Sequence, residues 1–147
     1  MKVLVVDDDP RLRELVVIAL ERAGFATITA ADGQAALTHA TREAPDLIVL
    51  DIGLPEMDGL EVCRRIRNGP DSPDVYLPIV MVTAYSERSR VLDAINAGVD
   101  EFLVKPVRAV DVANRVNAII ERRRPFVKAG PYFGPDRRRR EDHRYKG

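Results

Sequence analysis

Residues 47–59 read LIVLDIGLPEMDG: four apolar residues without a break, an aspartate, then a loop containing glycine and proline. The run is too short for a helix, and its aliphatic, partly β-branched content suits a strand buried on both faces. VLVV (3–6) and IVMV (79–82) repeat the pattern, and TITA (27–30) and EFLV (101–104) are weaker versions of it. Between these runs the apolar residues fall at helical spacing. Leu12, Leu15, Val16, Ala19 and Leu20 share one side of a helix that begins after Pro10 and ends near Gly24. Asp32 can cap a second helix through Thr41. Leu60, Cys63 and Ile66 form a third stripe, Val91 and Ile95 a fourth, and Val112, Val116, Ile119 and Ile120 a fifth, with stops at Gly69-Pro70 and Gly98. Five successive strand–helix units call for right-handed crossovers. The expected fold is α/β, a five-stranded parallel sheet with helices on both faces.

The apolar rhythm ends near Arg122. Residues 1–122 read as one folded domain and 123–147 as a Pro/Arg-rich tail, extended or disordered. Charge divides at the same place. Residues 122–147 hold ten Lys/Arg against Asp136, Glu141 and Asp142, which leaves 13 basic and 20 acidic side chains before them. An acidic body of net −7 argues against a nucleic-acid binder, whose folded body should itself be basic. The N-terminus lacks the pattern of a signal peptide, and no run of about 18 apolar residues suggests membrane insertion. The single cysteine, Cys63, excludes an internal disulfide; a cytoplasmic location is expected.

In an open α/β sheet, ligands bind beyond the carboxyl ends of the strands. Those positions hold Asp7, Asp8 and Asp9, then Asp51, Thr83 and Lys105. Asp9, beside Pro10, reads as a helix cap. Asp7, Asp8 and Asp51 would bring three negative charges together, which is costly unless a cation joins them, and all-oxygen ligation suits Mg²⁺. A carboxylate can accept a phosphoryl group as a nucleophile, while a lysine and a threonine hydroxyl hold the phosphoryl oxygens. Asp51 is the best nucleophile, because it directly follows the long central strand. No glycine-rich nucleotide loop is present, so the phosphoryl group should come from another molecule.

VLVVDDDP (3–10), LIVLDIGLPEMDG (47–59), IVMVTAY (79–85) and EFLVKPV (101–107) together resemble the receiver domains of two-component signalling, the CheY-like family of flavodoxin-like (βα)5 topology. The resemblance runs from residue 2 to about 122. It implies that Asp51 is phosphorylated, that Asp8 is a direct Mg²⁺ ligand with Asp7 acting largely through water, and that the Gly53 carbonyl is a further ligand. Mn²⁺ is an alternative ion. It also implies that Thr83 is the switch hydroxyl, Phe102 the switch aromatic and Lys105 the phosphate-binding lysine, followed by Pro106 in a cis bond. Gly53 and Tyr85 stand where side chains tune loss of the phosphoryl group, and Leu54 stands where methionine is common. The implied partners are a sensor histidine kinase or histidine phosphotransfer protein and a downstream target protein. Pairing of two copies through the fourth-helix to fifth-helix surface is also implied.

About 25 residues follow the fifth helix, fewer than a winged helix or an enzyme needs. The expectation is a stand-alone response regulator or phosphorelay receiver that signals through protein contacts. It would catalyse its own phosphorylation and slow dephosphorylation and would not be a metabolic enzyme. The rival readings are a receiver whose basic tail binds nucleic acid and a phosphorylation-independent scaffold. In the tail, Tyr132 and Phe133 could anchor in a partner's apolar groove, while Arg137, Arg138, Arg139 and Arg140 pair with carboxylates.

Overall fold

The computed structural model describes residues 1–84 and 88–137, with only the backbone described at Arg88. Its strands are β1 (Lys2–Val6), β2 (Ala26–Ala30), β3 (Leu47–Leu50), β4 (Ile79–Thr83) and β5 (Glu101–Val104). They alternate with α1 (Pro10–Arg22), α2 (Gly33–Glu43), α3 (Gly59–Asn68), α4 (Arg88–Asn96) and α5 (Ala109–Glu121). The five strands are parallel in the order β2-β1-β3-β4-β5. This is the (βα)5 architecture expected from the alternation of short apolar runs with helical stripes.

The three central strands read as continuous apolar runs because both of their faces are covered. Leu4, Val6, Ile48, Leu50, Ile79 and Met81 meet α2, α3 and α4 through Ala36, Ala40, Leu60, Cys63, Ile66 and Ala94. Their neighbours Val3, Val5, Leu47, Val49, Val80 and Val82 meet α1 and α5 through Val16, Leu20, Val112 and Val116. Period-two geometry therefore divides each run between two cores. The helices begin where short polar side chains can accept orphan amides. Asp9 accepts from the Arg11 and Leu12 amides at α1, Asp32 from Ala35 at α2, and Asp58 from Glu61 at α3.

The chain departs from expectation beyond α5. Where the loss of apolar rhythm suggested an extended or disordered segment, residues 126–135 form an antiparallel hairpin of β6 (Phe126–Ala129) and β7 (Tyr132–Pro135). Gly130 supplies the positive φ, 58°, that the first central residue of a two-residue hairpin loop requires. A four-residue strand containing proline carries almost no pattern of its own, so what holds the hairpin is distant in sequence. Phe126 and Phe133 pack against Tyr76, with ring centroids 5.3–5.5 Å apart within the trio. Phe133, expected to anchor in a partner, packs within its own chain. Tyr132 turns its hydroxyl back to the Pro135 carbonyl at 2.7 Å.

Candidate phosphoacceptor site

The crevice is built at the carboxyl ends of β1, β3, β4 and β5, and its centre lies where the sheet order reverses between β1 and β3. Asp7 and Asp8 follow β1, Asp51 follows β3, Thr83 is the last residue of β4, and Lys105 follows β5. Asp7 and Asp51 are each 6% exposed and Thr83 is fully buried, whereas Asp8 faces solvent. One carboxylate oxygen from each of Asp7, Asp8 and Asp51 falls within 4.8 Å of the others. Lys105 crosses the crevice from the opposite side. Its Nζ is 3.1 Å from Asp51 Oδ2 and 3.4 Å from Asp7 Oδ2.

Backbone contacts hold these side chains. The Asp9 amide donates to Asp7 Oδ1 at 2.9 Å and the Gly53 amide to Asp51 Oδ1 at 3.2 Å. The Lys105 amide donates to the Thr83 carbonyl at 2.7 Å, so the tips of β4 and β5 enter the crevice as a pair. The Lys105–Pro106 peptide bond is cis. Phe102 lies elsewhere, half-buried on β5 opposite Met81 and packed against the core under α2, α3 and α4.

Electrostatics point the same way. Burial raises the Asp7 pKa above its ordinary value; the Asp9 amide works against that rise, the Asp51 charge adds to it, and Lys105 offsets part of it. For Lys105, burial alone would lower the pKa, but its hydrogen bond to Asp51 and the charges of Asp51 and Asp7 more than compensate. The ammonium is held above its ordinary value. Three converging carboxylates and one lysine leave excess negative charge in a partly dry crevice. A hard divalent cation with oxygen ligands fits that donor set.

Two contributors carried no sequence signal strong enough to single them out. Arg13, on the first turns of α1, donates to the Asp7 backbone carbonyl at 2.7 Å and so braces the acidic loop. Gly59 opens α3 against the acceptor: a Cβ there would fall on the Asp51 carbonyl oxygen and lie 2.9 Å from Ile52 Cα. The glycine of PEMDG is the only available clue to the second. Tyr85 and Arg138, Arg139 and Arg140 lie outside the described residues. Two cavities among the described residues are remote from the crevice. One, about 540 Å³, lies between α2 and the loop after α3; the other, about 550 Å³, lies between α4 and the hairpin.

Residues 3–117 match the family model described as the response regulator receiver domain. The transcriptional regulatory protein PhoP of alkaline phosphatase synthesis, from Bacillus subtilis, is 42% identical over 121 residues, covering 82% of this chain and 49% of PhoP. The DNA-binding response regulator MtrA of Mycolicibacterium smegmatis is 40% identical, covering 82% of this chain and 51% of MtrA. The chain thus spans about half the length of the curated relatives it matches. Among solved structures, a putative response regulator from Chloroflexus aurantiacus superposes with a TM-score of 0.74 at 34% identity, covering 82% of this chain and 98% of that one. The beryllofluoride-activated receiver domain of DrrB superposes with a TM-score of 0.71 at 30% identity, covering 82% and 97%. With the family match reaching across the five-stranded parallel sheet and every residue of the acidic crevice, the chain belongs to the response regulator receiver domains of two-component signalling.

Proposed function

We propose that this chain accepts a phosphoryl group on Asp51 from a histidine kinase or histidine phosphotransfer protein and signals through contacts that depend on it. The observation that supports this reading is the convergence of Lys105 and two further carboxylates on Asp51, a residue only 6% exposed. An Asp51 oxygen attacks phosphorus, a P–O bond forms, the P–N bond to the donor imidazole breaks, and the imidazole leaves with the electron pair. Lys105, already between Asp51 and Asp7, holds one phosphoryl oxygen as a point charge, and the Thr83 hydroxyl donates to another. Mg²⁺ on Asp7, Asp8, Asp51 and the Gly53 carbonyl would supply neutralisation of the charge on the transferred group. Water later cleaves the acyl phosphate and restores the carboxylate. By its place in the sequence, two residues after Thr83, Tyr85 is assigned the role of slowing that hydrolysis, while Gly53 offers no side chain to position water.

The phosphoryl group adds charge and acceptor oxygens at the tips of β4 and β5. Thr83 moves to meet them, Phe102 moves inward, and the face formed by α4, β5 and α5 changes. That face is the proposed contact surface for a target protein or a second copy. No described helix is long and apolar enough to cross a membrane, and a cytoplasmic location accords with the proposed donors. The transcriptional and DNA-binding roles named for PhoP and MtrA belong to longer proteins, of which the matched residues cover about half. Incubation with a radiolabelled small-molecule phosphodonor and Mg²⁺ should label the wild-type chain and leave Asp51→Asn unlabelled. Full labelling of the variant would overturn the assignment.

A further inference from the structure

The hairpin that follows α5 is seated on one corner of the receiver, where α4 gives way to β5. Arg67 of α3 lies fully buried beneath it. Its guanidinium donates to the carbonyls of Gly98 (2.9 Å), Val75 (3.1 Å) and Leu77 (2.6 Å) and to Asp100 Oδ1 (2.9 Å). Asp100 also receives Arg123 at 2.9 Å and the Ile79 amide at 3.0 Å. Both guanidiniums lie over the Phe126 ring, at 4.8 Å for Arg67 and 4.3 Å for Arg123. Arg137 closes the clasp by donating to the carbonyls of Val99 and Asp100. Between these ion pairs, two glycines meet backbone to backbone: a Cβ on Gly134 would lie 2.8 Å from Gly98 Cα, and one on Gly98 would lie 2.6 Å from the Phe133 carbonyl oxygen.

The gripped residues are joined to the phosphoacceptor crevice by two short strands. Ile79, which exchanges hydrogen bonds with Asp100, begins β4, and β4 ends at Thr83. Asp100 itself precedes β5, and Lys105 follows it. Each strand thus has one end under the hairpin and the other in the crevice. From this arrangement we propose that residues 123–137 form a regulatory strap whose docking on the α4–β5 corner opposes phosphorylation of Asp51. The proposal rests on the reading of Asp51 as the phosphoacceptor. The docked hairpin accompanies an Asp51 paired to Lys105. Movement of Thr83 and Lys105 onto a phosphoryl group is transmitted along β4 and β5 to the corner and loosens the clasp. Loosening frees Phe126, Phe133 and Tyr76 from one another. By linkage, the factor by which the phosphorylated arrangement weakens docking equals the factor by which undocking favours that arrangement.

Gly134→Val tests this without touching the crevice, since its β-carbon would force the strap off Gly98. In the full chain with Mg²⁺, beryllofluoride should accelerate amide hydrogen exchange across residues 126–135 while protecting peptides that contain Asp51 and Lys105. Gly134→Val, with its receiver circular dichroism retained, should bind beryllofluoride about fivefold or more tightly than wild type. Unchanged exchange in the hairpin, or unchanged or weaker beryllofluoride binding by the variant, would overturn the strap while leaving the Asp51 reading intact. Absence of protection around Asp51 and Lys105 would overturn both. The wild-type exchange experiment remains decisive if the variant does not fold.

Discussion

Lys105 Nζ lies 3.1 Å from Asp51 Oδ2, although 54 residues separate them in the chain. The ion pair joins the tips of β3 and β5, which are separated in the sheet by β4. In the proposed function the ammonium, which also reaches Asp7 at 3.4 Å, follows negative charge as it passes from a carboxylate to a phosphoryl group. Lys105→Met should therefore lower the rate of phosphorylation by a small-molecule donor by about a hundredfold, the scale of a lost charge-stabilising donor. Single-turnover labelling measures it, and a wild-type rate would refute the role.

Gly59 should tolerate no side chain. Its backbone lies against the Asp51 carbonyl, so Gly59→Ala must push the acceptor loop or the start of α3 aside. The expected cost is about 2 kcal/mol in urea unfolding, with slower labelling of Asp51. Gly24→Ala offers a contrast, because φ there is 99° but nothing lies within 4 Å of the added carbon; it should lose stability without a matching loss of labelling.

Arg67→Met should be among the most damaging changes outside the crevice. Burial works against the arginine charge and Asp100 supports it; removal takes a donor from three carbonyls and leaves the buried Asp100 with Arg123 as its remaining cationic partner. A loss of about 3–5 kcal/mol is expected by denaturant unfolding. Increased exchange in the hairpin should accompany it, because Phe126 loses one of its two cationic neighbours.

Cys63 should be inert in the folded protein. Burial pushes its thiol up to about 12, and its Sγ rests 3.2 Å from the Ala97 carbonyl oxygen. Thiol reagents at pH 8 should label it only after denaturation. The thiol of the unfolded chain loses its proton nearer 9.0, so this group leaves stability unchanged below that pH. Above it the unfolded state deprotonates first, and stability falls as pH rises from about 9 towards 12. Cys63→Ala should lessen that alkaline slope in pH-dependent unfolding.

Tyr85→Ala should shorten the lifetime of the phosphorylated chain if the residue two positions after Thr83 has the shielding role proposed for it. Loss of label after removal of the donor measures it, and an unchanged rate would sink the shielding role.

The fold was legible because its determinants are local. VLVV, LIVL and IVMV are unbroken apolar runs since each strand feeds two cores, and Asp9 and Asp32 mark helix starts by chemistry confined to one turn. The site was legible for a related reason. A parallel sheet places every strand's carboxyl end on one edge, so Asp7, Asp51, Thr83 and Lys105 could be assembled from strand order alone. Arg13 and Gly59 escaped notice because their importance lies in which backbone they approach, and arginines and glycines occur widely for other reasons.

By itself, then, the sequence determined the strand–helix alternation and the acidic crevice, both of which follow from periodicity and from residues adjacent to strands. Only tertiary structure decided the fate of the segment after α5. Phe126, Phe133 and Arg137 have no rhythm to announce a fold, and their partners are Tyr76, Arg67 and the Val99–Asp100 backbone, dozens of residues away. A hairpin this short has too little surface to stabilise itself; it forms because the α4–β5 corner supplies buried charge and a glycine to pack against.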